Sequence, residues 1–206
     1  MAGLINWSSA RTAPSLAKMG QMRVVQKKSL GVAATKINPT PIAMNNNYDA
    51  LISASSARYG VPFAWVKAVI GTESNFNPTA YRAEPRLGDA SYGLMQLLSE
   101  TARGLGWSGE DAEELYDPEL NIELGTKYLA DLRARYGDDF RRVYSAYNSG
   151  RPDLWETSAQ VRHNVDRAQG WLEQVITEHP IAAAAAGGGA ILAALALFAF
   201  FRKRGK

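Results

Sequence analysis

The sequence predicts a mainly α fold for its central and largest part. Apolar residues recur at helical spacing in one segment after another. Strict apolar–polar alternation, the mark of half-buried strands, is scarce. Helix stops and starts punctuate the chain at Gly60-Val61-Pro62, Asp117-Pro118 and Gly150-Arg151-Pro152. The 206 residues allow one ordinary domain plus extensions.

The charge is segregated along the chain. Residues 1–46 carry Arg11, Lys18, Arg23, Lys27, Lys28 and Lys36 and no acidic residue. Scattered apolar residues with recurring Gly, Pro, Ser and Asn make this a basic, flexible arm, with short helical turns conceivable around Ser15–Val25. Anionic lipid or other proteins could meet it; it carries no specific nucleic-acid motif. No apolar run after a basic start marks a secretory signal. All 20 acidic residues fall between Asp49 and Glu178, so the block 47–178 is net acidic although the whole chain is +3. No cysteine is present, which excludes disulfides and thiolate chemistry.

Within 47–178, Tyr48–Tyr59 reads as an amphipathic helix with Leu51, Ile52 and Ala54–Ala57 inward, stopped by Gly60. Pro62 opens the next helix, where Phe63, Val66, Val69, Ile70 and Glu73 share one stripe. Asn75–Ala90, with Pro78, Pro85 and Gly88, reads as a long loop. A turn then leads into a helix from about Leu94 to Leu105, and Ser108–Leu115 is a short acidic helix or turn. Asp117 caps a helix over Pro118–Tyr136 with Ile122, Leu124, Gly125, Tyr128, Leu129 and Leu132 on one face; Gly125 marks close packing. Further helices are expected over Asp138–Asn148 and, as one or two pieces, Glu156–Glu178, with Val161, Val165, Ala168, Trp171, Leu172, Val175 and Ile176 inward.

Residues 180–201 include Ile181–Phe201, 21 residues without a charge. As a helix they would span about 31 Å, the thickness of a bilayer core. This predicts a single C-terminal transmembrane helix, stopped by the basic tail 202–206. The positive-inside tendency would put that tail in the cytoplasm and the domain on the other side.

The apolar stripe ends in a carboxylate. Burial and the negative end of a helix dipole both favour a protonated Glu73, and a protonated carboxyl lining a cleft is what a general acid for glycoside cleavage needs. An exposed glutamate at a frayed helix end would give the same spacing. No HExxH, Cys/His cluster, P-loop or GxGxxG occurs, and the two histidines are His163 and His179. No metal and no cofactor is therefore expected.

Four blocks stand in order: Glu73-Ser74 with Asn77-Pro78; Gly93-Leu94-Met95-Gln96; Asp117-Pro118 with Asn121-Ile122, Gly125 and Tyr128-Leu129; and Ala146-Tyr147-Asn148-Ser149-Gly150. Together they resemble the soluble lytic transglycosylase family, whose catalytic domain is lysozyme-like. The resemblance implies that Glu73 cleaves the MurNAc–GlcNAc bond of peptidoglycan and forms 1,6-anhydro-MurNAc. It implies substrate-side roles for Ser74 (orienting Glu73), Tyr92, Met95, Gln96, Tyr147 (contacting Glu73) and Asn148. Met95 as core filler, Tyr147 as a buried aromatic and Asn148 as a helix cap are the structural alternatives. The chain departs from the family in a longer loop between Glu73 and Gly93, and in Gln160 where many members have tyrosine.

Two rival readings follow from the same residues. Asp89 or Glu84 could activate water opposite Glu73, as in goose-type muramidases. A membrane-anchored protein could also bind the wall without cutting it. A tail anchor without a leading signal, joined to such a domain, points to the membrane of a bacteriophage virion and local wall penetration during infection or release, with a bacterial inner membrane as the other setting.

Overall fold

The computed structural model describes residues 45–180, all within one compact unit. The expected basic arm, the transmembrane span Ile181–Phe201 and the tail 202–206 lie outside the described residues. Among the described residues no helix is long and apolar enough to cross a membrane.

Among the described residues there are seven α-helices, one 3-10 helix and one small sheet. Helix α1 (Asp49–Tyr59) ends at Gly60, which takes a left-handed φ of 66°. Its inward residues are Ile52, Ser55 and Ser56, while Ala54 and Ala57 face solvent. Of the expected Ala54–Ala57 stretch the two serines are inward and the two alanines are not: small residues carry too little hydrophobicity to fix a helix's rotation, and Ile52 sets it.

Helix α2 (Phe63–Ser74) is the centre of the fold. Every residue from Phe63 to Thr72 is buried, so the helix is covered on all sides and the stripe read from sequence is one face of a wholly interior element. Removing side chains such as Val69 and Ile70 fully from water contributes roughly 1.5–3 kcal/mol each. Helix α7 (Ala159–Glu178) is its main neighbour, and the two approach closely at Gly71, where a Cβ would stand 2.6 Å from Trp171 Cδ2. Lys67 is fully buried on the same helix. Its ammonium donates to Asp49 Oδ1 at 2.6 Å and Asn46 Oδ1 at 2.7 Å and lies 3.2 Å from His179 Nε2. A buried ammonium needs such partners, and these join the two ends of the described chain.

The largest difference from expectation lies between Asn75 and Leu98. The predicted loop contains an antiparallel sheet of β1 (Tyr81–Glu84), β2 (Asp89–Tyr92) and β3 (Leu97–Leu98), in that order. Tyr81 pairs with Tyr92, Glu84 with Asp89, and Tyr92 with Leu97. Pro85 and Gly88 punctuate a hairpin turn, with Gly88 at φ 67°, and not an open loop. The expected helix from Leu94 starts later, as α3 (Ser99–Gly104), because a turn and β3 occupy Gly93–Leu98. Strands of four and two residues are too short to show alternation, and most of β1 is exposed.

The remaining elements follow the predicted order. A 3-10 helix covers Ala112–Tyr116. Helix α4 (Pro118–Tyr136) has its predicted bounds, with Asp117 accepting from the Leu120 amide. Gly125 packs as expected: a Cβ there would lie 2.3 Å from Met95 Sδ. Helix α5 (Phe140–Ser149) is capped by Asp139, and a short α6 (Leu154–Thr157) precedes α7. The predicted inward residues of α7 are buried, with Ile176 partly so.

Candidate active site

Glu73 sits in the last turn of α2, at the point where the buried helix becomes partly exposed. The chain turns away at once. Asn75 (φ 51°) and Phe76 (φ 63°) are both left-handed, and neither is glycine. Asparagine tolerates this conformation, whereas a phenylalanine there costs about 1–2 kcal/mol. Burial of Phe76 edge-on against Trp171, centroids 5.7 Å apart, offsets that cost. The outcome is a carboxylate fixed at a helix end by a strained but packed turn.

Protein crowds the Glu73 carboxyl although the residue keeps some solvent exposure. Burial pushes its pKa up, and the C-terminal end of α2 acts in the same direction. Opposing this, the Tyr144 hydroxyl donates to Glu73 Oε1 at 2.8 Å, and Arg82 and Arg167 supply positive charge. Burial wins, so the group holds its proton above the usual glutamate range. Arg167 is anchored by donating to Thr72 O at 3.0 Å. Arg82 projects from β1, paired with Glu84 at 2.6 Å.

Of the residues expected around Glu73, Tyr147 lies close enough to feel its charge, and the others are held by contacts of their own. Tyr147 does not hydrogen-bond the acid; its hydroxyl donates to Met95 O at 2.6 Å. The hydrogen bond to Glu73 comes from Tyr144, one helical turn earlier. Its ring stacks on Tyr147 at 6.4 Å and 11°. Sequence reasoning missed Tyr144, although three-residue spacing on α5 places it on the same face as Tyr147. The Ser74 hydroxyl donates back to Ile70 O at 3.2 Å and leaves Glu73 alone.

Met95 has its side chain fully buried against Gly125. Its backbone is clamped: its amide donates to Asn121 Oδ1 at 2.8 Å while its carbonyl accepts from Tyr147. Gln96, left-handed at φ 49°, donates through Nε2 to Ala80 O and Gly93 O, tying this turn to the start of the hairpin. Tyr92 is half-buried, edge-on to both Tyr81 and Tyr116. Asn148 accepts from Asn164 Nδ2 at 3.1 Å, and the helix cap is Gly150.

The two rival carboxylates are engaged elsewhere. Asp89 accepts from the Ala90 amide at 2.7 Å, the Ser99 hydroxyl at 2.7 Å and the Glu100 amide at 3.0 Å, so it caps α3 from a neighbouring strand. Partial burial alone would raise its pKa; these hydrogen bonds outweigh that and hold it below the usual aspartate range. Glu84 is ion-paired with Arg82. Among the described residues no group of three or more His, Cys, Asp or Glu is arranged to hold a metal ion.

With this geometry in view, residues 50–169 match the family described as Transglycosylase SLT domain, more than half of the chain. The chain belongs to this family. The membrane-bound lytic murein transglycosylase C of Yersinia pestis (strain Pestoides F) is 36% identical over 118 residues, which cover 51% of this chain and 32% of that protein. The protein of the same name from Serratia proteamaculans is 36% identical over 119 residues, with the same coverage. The chain thus spans about a third of the length of the curated relatives it matches. Among solved structures, the 70 kDa soluble lytic transglycosylase of Escherichia coli superposes with a TM-score of 0.57 at 21% identity, over 65% of this chain and 25% of that one. Lytic transglycosylase Slt of Pseudomonas aeruginosa gives 0.56, also at 21% identity, over 66% and 25%. The SLT domain therefore has the mainly helical, lysozyme-like fold expected from sequence.

Proposed function

We propose that this SLT domain is a peptidoglycan lytic transglycosylase acting through Glu73 alone. One observation carries the reading: Glu73 is a carboxyl whose pKa burial raises, while Asp89 and Glu84, the residues proposed as water activators, are committed to other partners. A single carboxyl suffices if the substrate supplies its own nucleophile, whereas ordinary glycosidases need two. Glu73 gives its proton to the glycosidic oxygen as the bond to the MurNAc anomeric carbon breaks. The resulting carboxylate then takes the proton of the MurNAc 6-hydroxyl, whose oxygen closes onto that carbon. Carboxylate formation during the cycle is favoured by Tyr144, Arg82 and Arg167, which all stabilise negative charge at Glu73. No water is consumed, and the product is the 1,6-anhydro sugar.

In this reading Gln96, Tyr92 and Asn148 meet the sugar or its peptide, Tyr147 and Met95 hold the cleft wall through their mutual bond, and Ser74 supports the helix end. The names of the membrane-bound relatives support a membrane-associated setting, with Ile181–Phe201 as the candidate tether. Local wall penetration from a phage membrane is the use we infer for such a tethered domain. The deciding experiment digests purified peptidoglycan with the full chain and weighs the muropeptides. Products one water lighter than reducing-end muropeptides, absent with Glu73→Gln, are expected. Reducing-end products would show that water attacked and would refute the single-carboxyl mechanism.

A further inference from the structure

An aromatic row on the hairpin runs from Tyr92, which the reading above places against the sugar or its peptide, to the exposed Tyr81. Tyr81 and Tyr92 are direct cross-strand partners, so both rings leave the same face of the sheet, while Arg82 and Glu84 leave the other. Their rings meet edge to face at 5.6 Å and 68°. Tyr116, at the end of the 3-10 helix, continues the row against Tyr92 at 5.6 Å and 65°. Asn121 builds this juxtaposition. Its Nδ2 donates to Tyr92 O at 3.0 Å and to Leu115 O at 2.7 Å, binding strand and 3-10 helix together beside the row.

The row is open to solvent. Tyr81 is 59% exposed, and among the described residues it and Leu87, at 62%, are the exposed large hydrophobics; both lie on the hairpin. Tyr92 and Tyr116 are half-buried. Among the described residues the hydroxyls of all three tyrosines lack a hydrogen-bond partner. A row serving only as packing would hide its rings. These rings present apolar surface with free phenol hydroxyls beside it, the pairing that a sugar's C–H face and hydroxyls complement.

The surrounding charge selects among ligands. Asp89 and Asp111 act electrostatically on Tyr92, and Glu113 on Tyr116. An anionic polymer would be repelled here, whereas the exposed Glu113 carboxylate can accept hydrogen bonds from a neutral sugar's hydroxyls. We infer that the Tyr81–Tyr92–Tyr116 row is a secondary glycan-holding surface that takes uncharged N-acetylglucosamine-type residues of a long strand. The inference rests on the peptidoglycan reading above, which supplies the polymeric glycan.

The test measures binding and turnover separately. In full-length protein carrying Glu73→Gln, affinity for peptidoglycan sacculi and for chitohexaose is compared with and without Tyr81→Ala or Tyr116→Ala. Each ring should cost roughly two- to tenfold in affinity, the range of an aromatic contact. In the Glu73 protein the same substitutions should raise KM on long strands, with kcat and the turnover of a tetrasaccharide unchanged. Tyr81 is exposed, so its substitution should leave Tm unchanged. Unaltered affinity for both ligands in both variants would overturn the inference, as would tighter binding of an anionic polymer than of chitohexaose. Because affinity is measured with Glu73→Gln, failure of the catalytic reading and failure of this one are observed independently.

Discussion

Tyr144→Phe removes one hydroxyl and keeps its ring, which lies stacked between Phe140 and Tyr147 with 1% of its surface exposed. The lost interaction is the 2.8 Å bond to Glu73 Oε1. A hydrogen bond to a charged group contributes about 1.5–3 kcal/mol net, and one between neutral partners roughly half that. The hydroxyl therefore favours the carboxylate over the acid by about 1 kcal/mol, or about 0.7 of a pKa unit. In the proposed mechanism Glu73 must start protonated, so activity is expected to fall as pH rises through its pKa. Removing the donor raises that pKa further and moves the alkaline limb of the rate profile to higher pH by about 0.5–1 unit. The assay is initial release of anhydro-muropeptides from purified glycan strands across the pH range. Tyr147→Phe, which loses only the bond to Met95 O, should move the limb less. A limb in Tyr144→Phe that stays in place or moves to lower pH would refute the assigned electrostatic role.

Further outcomes follow from the same contacts. Glu73 is held protonated in the native state at a pH where the unfolded chain has released the proton, so native stability falls as pH rises from the ordinary glutamate pKa through the raised one. Glu73→Gln should thus have a higher Tm than the native protein at about pH 8, with the gap closing towards about pH 4. Asp89, held below its ordinary pKa, contributes stability present above the usual aspartate pKa and lost as pH falls through the depressed one. Asp89→Asn should cost about 1–2 kcal/mol in urea unfolding at neutral pH and leave the anhydro product unchanged. At the contact of α2 with α7, Gly71→Ala should cost about 1–3 kcal/mol by overpacking the rigid indole of Trp171. Adding Trp171→Leu should cost less than the sum of the two single changes, which a double-mutant cycle would show.

The site was legible in sequence where chemistry and periodicity coincide. Glu73 was readable because an apolar stripe ended in a carboxylate, and Gly125 because a glycine stood in a helical face. Contacts between elements were not legible in that way. That Tyr144 and not Tyr147 reaches Glu73 depends on how α5 is rotated against the end of α2, and both tyrosines satisfy the helical spacing. Asp89 as cap of α3 depends on a strand pairing that short, exposed segments do not advertise.

The sequence by itself determined the order of the helices, the bounds of α4, the apolar faces of α2 and α7, and the placing of a carboxylate at the end of α2. These follow from local periodicity and capping, which act over a few residues. Only the tertiary structure decided that α2 is buried on every side, that the stretch after Glu73 is a hairpin, and which donors meet the carboxyl. Those outcomes are set by packing between segments distant in the chain: Trp171 against Gly71, Asn121 across Tyr92 and Leu115, and Tyr144 reaching over to Glu73. Burial and hydrogen-bond geometry at such contacts fix the state of the acid, and neither is encoded in the spacing of any one segment.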